Sequence, residues 1–270
     1  MAEAAVAEAA VAAIICAAGA STRMGGGIKK EYRLLPPAAG GQTAGLTVLG
    51  AAVSAFAEIP EIKTIVITVP PDSVNGEVAA TAAGAEAAAR NALPRRFLEG
   101  ENSPKIYFVC GGATRQASVY NALSLLAAGR PAGPNTPGYV LIHDGSRPFV
   151  SPSLIKRVIA EVKKHRAVIP LLPLTETPKE TDAPLNNASG GPVLIKHHLK
   201  RAFIGAAQTP QGFAFSEIFA AHKAAAQENS PHPEFTDDAE VWSAFCGPVA
   251  AILGESENRK ITFPEDLGLC

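Results

Sequence analysis

Strand-length apolar runs that alternate with longer helical patterns constrain this sequence more than any other feature. The runs are VAAIICA (11–17), TIVITVP (64–70), KIYFVCG (105–111), YVLIHDG (139–145) and AVIPLLPLT (167–175). They are continuously apolar, which is typical of strands buried on both faces of a sheet. Helical patterns fall around residues 44–57, 78–92, 114–128 and 151–165. The alternation predicts a three-layer α/β fold around a mostly parallel sheet.

The segment 176–199 interrupts this alternation. Asn186-Asn187 and Ser189-Gly190-Gly191 carry turn chemistry between two strand-like pieces. This pattern predicts a β-arm that projects from the sheet. Further helices are predicted at 215–227 and 236–245, and a late strand at 247–253. Because we find neither an internal repeat nor an interdomain linker, we interpret residues 1–270 as one domain, with 1–10 as a helical N-terminal extension.

Composition and charge argue against several classes of partner. The formal net charge is −1, so no overall field attracts nucleic acid or an anionic membrane. No apolar run reaches the roughly 18 to 20 residues that a membrane helix needs. Glu3 and Glu8 stand where a secretory signal would carry basic residues. The four cysteines show no CxxC or metal-ligand spacing, which indicates a reducing cytoplasm.

Polar motifs follow four of the predicted strands. They are the stretch after the first strand, CGGATRQASV (110–119), HDGSRPF (143–149) and LTETPKE (174–180). In open α/β sheets ligands bind beyond the carboxyl ends of the strands. We therefore expect these motifs to meet at one edge of the sheet.

The stretch CAAGASTRMGGGIKKEY (16–32) allows two interpretations. It matches neither the Walker pattern nor GxGxxG. Its small residues would let backbone N–H groups approach phosphates, with Arg23 and Lys30 as cations and Lys29 as a solvated bystander. Alone, it is equally compatible with a flexible surface turn.

The other motifs also have structural alternatives. Gly112 and Ser118 could contact a nucleotide base, or the motif could be a simple helix entry with Thr114 as N-cap and Arg115 in solvent. Asp144 could hold a ribose hydroxyl or a metal-bound water, or merely pair with Arg147.

Three polar segments near the C-terminus are interpreted as structural when taken alone. Thr209-Pro210-Gln211 reads as a turn before a helix, and Lys260 as a surface residue. Thr236 reads as the N-cap of a helix, with Asp237 and Asp238 as capping acids in its first turn. The six histidines form no metal-ligand set, and no Ser-His-Asp arrangement is evident.

Taken in order, the motifs resemble the 2-C-methyl-D-erythritol 4-phosphate cytidylyltransferase family. The resemblance spans about residues 12–269. Its motifs are AAGASTRMG, KKEY, GGATRQASVYNAL, VLIHDGSRPFV, TETPK, AQTPQGF, FTDDA and ENRKITFPEDL. It implies a Rossmann-like nucleotidyltransferase fold and transfer of CMP from CTP to the phosphate of methylerythritol 4-phosphate, with release of pyrophosphate.

The resemblance also implies roles for individual residues. Arg23, Lys30 and Lys260 are expected to be catalytic, and Thr177 and Arg201 to receive the sugar phosphate. The nucleotide is expected to bind at Ala17, Ala18, Gly19, Gly112, Ser118 and Asp144. Asp144 is also the expected contact for Mg²⁺, directly or through water. The arm at 176–199 resembles the family's dimerisation arm, which implies a homodimer.

Some features depart from the family pattern. Ser21 replaces a glycine, Glu176 replaces the common Asp, and Pro178 follows Thr177. Residues 33–46 are longer than the family norm, which predicts an enlarged loop. Some members carry a fused cyclodiphosphate synthase domain, and because the chain stops after PEDLGLC we expect none here.

Three alternatives stay open from the residues alone. A related cytidylyltransferase that uses ribitol 5-phosphate would share the fold and the CTP site. A non-catalytic dinucleotide-binding protein should carry an acid ~20 residues after the glycine-rich turn, where this chain instead has PPAAGGQTAGLTV. The third alternative is a regulatory protein that keeps the fold but has lost activity. The chain argues against it by retaining Arg23, Lys30, Asp144, Arg201 and Lys260 together.

Overall fold

The structure, a computed structural model, describes most of the chain. The described residues are 9–21, 24, 28–36, 43, 45–71, 82–100, 103–129, 136–185, 191–227 and 235–268. Outside them lie Arg23, residues 1–8 of the expected N-terminal extension, and residues 186–190 at the expected tip of the arm. Of the expected enlarged loop at 33–46, only 33–36, 43, 45 and 46 are described.

Ten strands and eight α-helices make up the described secondary structure. The strands are β1 (Val11–Cys16), β2 (Ile62–Val69), β3 (Lys105–Cys110), β4 (Tyr139–Asp144), β5 (Ala167–Pro173), β6 (Lys179–Thr181), β7 (Ile195–His198), β8 (Gly205–Ala207), β9 (Gln211–Ala214) and β10 (Ala250–Leu253). The helices are α1 (Val48–Ala57), α2 (Ala82–Asn91), α3 (Arg95–Glu99), α4 (Arg115–Ala127), α5 (Pro152–His165), α6 (Phe215–Ala225), α7 (Asp238–Phe245) and α8 (Pro264–Gly268). Short 3₁₀ turns lie at Lys30–Tyr32 and Arg201–Phe203.

Eight strands form one mixed, mostly parallel sheet in the order β10-β5-β9-β4-β1-β2-β3, with β8 paired to β5. β1 pairs in parallel with both β2 and β4, and β2 pairs in parallel with β3. The carboxyl ends of these four strands therefore lie at the same edge of the sheet. This confirms the predicted α/β class and the predicted mostly parallel sheet.

Helices cover both faces of the sheet, and β1 shows how the core is divided between them. Alternate β1 side chains point to opposite faces. Val11, Ala13 and Ile15 pack in the cluster that contains α1 and α5. Ala12 and Ile14 pack in the cluster that contains α4 and α6. Burial on both faces explains why this strand reads as an unbroken apolar run.

Side-chain caps fix the start of several helices. The hydroxyls of Thr47, Thr114 and Ser151 accept hydrogen bonds from the third backbone N–H of α1, α4 and α5. The predicted N-cap role of Thr114 is therefore confirmed. Helix α5 ends at Arg166, whose φ of 66° is left-handed.

The predicted arm is a two-stranded antiparallel sheet of β6 and β7, separate from the main sheet. The prediction that Thr209-Pro210-Gln211 only leads into a helix was incomplete. Gln211 begins β9, which lies antiparallel between β4 and β5. Residues 211–214 show no alternation of polarity because every one of them is buried, and four residues are too few to establish a period.

Candidate active site

A cleft of about 540 Å³ opens at the carboxyl edge of the sheet. It is formed by the segments that follow β1, β3 and β4, together with the segment that precedes α8. Seven of the predicted site residues line it: Ala18, Gly19, Lys30, Gly112, Ser118, Asp144 and Lys260. The expected meeting of the strand-end motifs is therefore confirmed for these segments.

Backbone forms the wall that follows β1. Gly19 is exposed, and no heavy atom lies within 4 Å of the position its Cβ would occupy. Ala17 is buried, and its N–H donates to the Thr68 hydroxyl at 3.0 Å. Ala17 thus has its N–H engaged inside the fold, whereas Ala18 and Gly19 line the cleft.

Glu31 holds this wall in place through its carboxylate. Its buried carboxylate pairs with the Lys29 ammonium at 2.8 Å and accepts a hydrogen bond from the Ser21 hydroxyl at 3.1 Å. Lys29 also donates to the Gly19 carbonyl. Ser21, with a φ of 54°, adopts the left-handed conformation that a glycine would take more easily. The expectation that Lys29 is a solvated bystander was wrong, because it ties the loop to a buried acid.

Lys30 faces the cleft from the 3₁₀ turn. Its ammonium donates to the Ile261 carbonyl at 2.9 Å, so it touches the segment that carries Lys260. Burial lowers the pKa of Lys30, while the adjacent Glu31 opposes that effect and Lys260 adds to it. Lys30 and Lys260 therefore both line the cleft, and Glu31 and Asp144 line it beside them.

The opposite wall is the tight turn between β3 and α4. A Cβ on Gly112 would lie 2.4 Å from the Ala117 Cβ, so the backbone there is as close as it can pack. The Gly112 N–H donates to the Ser118 hydroxyl at 3.0 Å, and that hydroxyl donates to the Thr114 carbonyl at 2.9 Å. Helix entry and cleft wall are thus the same structure, and the two interpretations of this motif do not exclude each other.

Asp144 lies at the floor of the cleft among three cations. The Lys260 ammonium is 3.0 Å from Oδ2, the Arg147 Nε is 3.3 Å from Oδ2, and the Arg115 Nε is 3.7 Å from Oδ1. Burial alone would raise the pKa of Asp144, but these cations hold it well below its ordinary range. Asp144 is therefore a carboxylate at neutral pH.

Arg115, which is partly buried, and Asp238, which is fully buried, form an ion pair that the sequence did not reveal. The Arg115 Nη2 donates to Asp238 Oδ2 at 2.7 Å, and the His222 Nε2 lies 3.2 Å from Oδ1. Arg115 is thus not a solvated residue at a helix entry. Asp237, not Thr236, is the N-cap of α7, since it accepts from the Glu240 N–H at 2.9 Å. Capping was the correct interpretation for Asp237 and the wrong one for Asp238.

Buried hydrogen bonds hold the segment that carries Lys260. Asn258 is fully buried, and its side-chain amide donates to the Thr209 carbonyl at 2.7 Å. Its backbone carbonyl accepts a hydrogen bond from Arg147 at 2.8 Å. Gln208 donates to the Glu255 carbonyl and accepts from the Glu255 N–H. A polar segment that reads as surface is therefore fixed to the β8–β9 turn.

Thr177 and Arg201 do not meet the other predicted residues in the described structure. Both are exposed at the base of the arm, and neither lines the cleft. The Arg201 guanidinium donates to the Thr175 carbonyl instead.

Two kinds of feature are absent from the described residues. No three of their His, Cys, Asp and Glu side chains are grouped in a way that could hold a metal ion. None of the described helices has the length and apolar character that a membrane crossing requires.

Comparison with known proteins gives consistent matches over nearly the whole chain. The family model of 2-C-methyl-D-erythritol 4-phosphate cytidylyltransferase matches residues 11–270. A bifunctional IspD/IspF enzyme of Bradyrhizobium sp. (strain ORS 278) is 39% identical over 257 residues, which cover 94% of this chain and 54% of the relative. That of Brucella anthropi is 36% identical over 262 residues, covering 95% and 53%. The chain thus spans about half the length of the curated relatives it matches.

Solved structures of this kind share the fold. The 4-diphosphocytidyl-2C-methyl-D-erythritol synthase of Anaerococcus prevotii superposes with a TM-score of 0.70 at 26% identity, covering 97% of this chain and 94% of that one. The 2-C-methyl-D-erythritol 4-phosphate cytidylyltransferase of Thermus thermophilus gives 0.60 at 28% identity, with 95% of each chain covered.

Proposed function

Since the chain belongs to the 2-C-methyl-D-erythritol 4-phosphate cytidylyltransferase family, we propose that it transfers CMP from CTP to the phosphate of 2-C-methyl-D-erythritol 4-phosphate. The products are 4-diphosphocytidyl-2-C-methyl-D-erythritol and pyrophosphate, in isoprenoid precursor biosynthesis. The observation that carries the proposal is the cleft itself, with bare backbone on two walls and Lys30 and Lys260 converging above Asp144.

The nucleotide would lie between the two backbone walls. The N–H groups around Ala18 and Gly19 suit the triphosphate, because oriented backbone amides bind anions without a mobile side chain. The close-packed turn at Gly112 and Ser118 suits the flat cytosine ring. Asp144 remains between them to accept a hydrogen bond from a ribose hydroxyl.

The reaction needs no nucleophilic side chain. An oxygen of the acceptor phosphate attacks the α-phosphorus of CTP, a new P–O bond forms, and the bond to the β-phosphate breaks with release of pyrophosphate. Both reactants are anions, so the barrier is lowered mainly by alignment and by positive charge. Lys30 and Lys260 both line the cleft and supply that charge, and we assign Arg23 to the same role from the family pattern.

The cleft also fits Mg²⁺. This cation prefers oxygen ligands and is commonly held by one or two carboxylates together with substrate phosphates. Asp144 is an ionised carboxylate in the cleft, and it would hold the ion directly or through water. When bound, the ion neutralises part of the triphosphate charge.

The acceptor site would be completed by a second copy of the chain. Thr177 and Arg201 are assigned to the sugar phosphate, yet both lie outside the cleft of their own chain. The arm and its flank expose Leu185, Leu194, Ile195 and Phe203, an apolar surface that suits burial against a partner. We therefore propose a homodimer in which the arm of one copy brings these two residues to the cleft of the other. The single-domain organisation and a cytoplasmic location stay predictions from sequence.

The proposal is tested by incubating the protein with CTP, Mg²⁺ and methylerythritol 4-phosphate and measuring pyrophosphate release. We expect turnover that requires all three components. Ribitol 5-phosphate in a parallel reaction identifies the acceptor, and faster turnover with it would replace the proposed substrate. Binding of CTP without turnover on either acceptor would contradict an enzymatic role.

A further inference from the structure

Arg115 is a cation of the cleft that the proposed reaction leaves without a role. Its side chain is 30% exposed and lines the cleft beside Gly112 and Asp144. A guanidinium carries five N–H donors. Among the described residues it donates within hydrogen-bonding distance to Asp238 alone. Arg115 therefore has donors beyond the one that binds Asp238, in a side chain that lines the cleft.

Asp238 holds Arg115 from below. Its side chain is 1% exposed, with one oxygen bound by Arg115 and the other by His222. His222 is itself fully buried on α6. A carboxylate shared in this way has little freedom to turn, so it fixes the direction of the guanidinium.

Helix stability does not account for this arrangement. The adjacent Asp237 already caps α7, and its second oxygen accepts from Gln211 at 2.8 Å. Burial of the Asp238 carboxylate carries a desolvation cost that its ion pair must offset, so the pair contributes little net stability compared with apolar residues of similar volume. The Arg115 side chain of this pair lines the cleft, where a fixed orientation of its charge would favour binding of an anionic ligand.

We propose that Asp238 is a positioning residue of the nucleotide site, which acts by holding the Arg115 guanidinium in the cleft wall with its remaining donors directed at bound CTP. Without Asp238, the nearest carboxylate to Arg115 is Asp144, 3.7 Å away. The guanidinium, which already lies within ion-pair distance of Asp144, would then be held by Asp144 alone, and both groups would be lost to the nucleotide. The proposal rests on the proposed function, because it takes CTP as the ligand.

The test is a double-mutant cycle on Asp238→Asn and Arg115→Met, read as the Kd of CTP with Mg²⁺ by calorimetry and as KM and kcat in turnover. Asp238→Asn keeps the shape and removes the charge. We expect Asp238→Asn to raise Kd and KM for CTP by about 10-fold, in line with loss of one charge-assisted contact, and to change kcat less. Arg115→Met should have at least that effect, and the double variant should match Arg115→Met alone.

Asp237→Asn is the matched control, since it alters the neighbouring acid on the same helix. It should lower the melting temperature and leave the Kd of CTP unchanged. If Arg115→Met leaves the protein unfolded, Arg115→Lys takes its place in the cycle, because it keeps the charge but not the fork of donors.

The outcomes test the positioning role of Asp238 separately from the proposed reaction. Additive effects of Asp238→Asn and Arg115→Met would overturn the positioning role. A weaker Kd for CTP in Asp237→Asn, in step with its lower melting temperature, would also overturn it, because the effect would then come from lost stability. A wild-type protein that binds CTP but has no turnover would contradict the proposed reaction. The double-mutant cycle on the Kd of CTP would still decide the role of Asp238. A wild-type protein that binds no CTP would overturn both.

Discussion

Two adjacent lysines show how position decides the role of a residue. Lys29 binds Glu31 and the Gly19 carbonyl, whereas Lys30 lines the cleft and donates to the Ile261 carbonyl. The charge is the same in both, and the partners differ. Lys29 therefore shapes the loop, and Lys30 faces the ligand.

Replacement of Lys30 by Ala should lower kcat on the order of 10²-fold or more, because it removes a preorganised cation at which charge develops in the transition state. The measurement is CTP-dependent release of pyrophosphate. Lys63→Ala is the control, since this exposed lysine lies near the opposite end of β2. A Lys30→Ala variant with the turnover of Lys63→Ala would exclude the catalytic role.

We expect His143 to make stability depend on pH. Its Nδ1 lies 3.0 Å from the Thr209 hydroxyl and its Nε2 3.1 Å from the Arg147 carbonyl, so the neutral ring with a proton on Nε2 satisfies both contacts. Burial lowers the pKa of His143 to about 4, against 6.5 in the ordinary side chain. Between these values the unfolded chain binds the proton and the folded protein does not.

The free energy of unfolding should therefore fall as the pH drops from 6.5 towards 4, with a contribution from His143 on the order of 3 kcal/mol. Above pH 6.5 this contribution is fully present. Urea unfolding at a series of pH values measures it. His143→Gln should reduce the slope in this window, and an unchanged slope would contradict the assignment.

The site residues that the sequence predicts are those whose signal is local. Asp144 directly follows a buried strand, and Lys30 lies in a run of small and basic residues, so the sequence alone singles out both. The Arg115–Asp238 pair has no such signal, because 123 positions separate its members and each has an ordinary local explanation. An acid in a first helical turn looks the same whether it caps the helix or reaches another element.

At the scale of elements, the turn from β3 into α4 joins packing to the site. Gly112 leaves no space for a Cβ, with the Ala117 backbone 3.1 Å and its Cβ 2.4 Å from that position. Gly112→Ala should lower the free energy of unfolding by roughly 1–3 kcal/mol, because the helix entry must move to accept the methyl group.

The measurement for this variant is chemical unfolding together with the KM for CTP, which should rise as the wall shifts. Gly191→Ala is the matched control, since no heavy atom lies within 4 Å of its Cβ position. Equal stability of the two variants would show that the turn has room to adjust.

The elements also differ in how far the sequence predicts them. β1, β2, β3 and β4 are each long enough to show an unbroken apolar run, and all four were predicted. β9 was missed because its four buried residues begin with Gln211, whose side chain is satisfied by Asp237 and by the Ala239 N–H. Tertiary partners, rather than local composition, make that residue acceptable in a core.

At the scale of the whole molecule, the arm predicts an oligomer. Phe203 is 83% exposed and Ile195 is 53% exposed, which is costly for apolar side chains that have no other role. Phe203→Ser combined with Ile195→Ser should shift the protein from dimer towards monomer in light scattering. Turnover should fall with the shift, while the Kd of CTP stays the same, because the nucleotide cleft belongs to one chain.

A fall in CTP affinity equal to the fall in turnover would contradict the claim that CTP binding needs one chain and turnover needs the dimer. Leu253→Ser provides the control, because Leu253 is similarly exposed at 63% but lies on β10, an edge strand of the main sheet that is not part of the arm. It should leave both mass and turnover unchanged.

The central place of β1 in the sheet has a consequence for synthesis of the protein. β1 is the earliest described strand to leave the ribosome, and β2 can cover one of its edges once residue 69 has been made. Its other edge waits for β4, which is complete only at residue 144. Over that interval a nascent chain presents an apolar strand with open hydrogen-bonding groups, the kind of surface to which chaperones bind and from which aggregation begins.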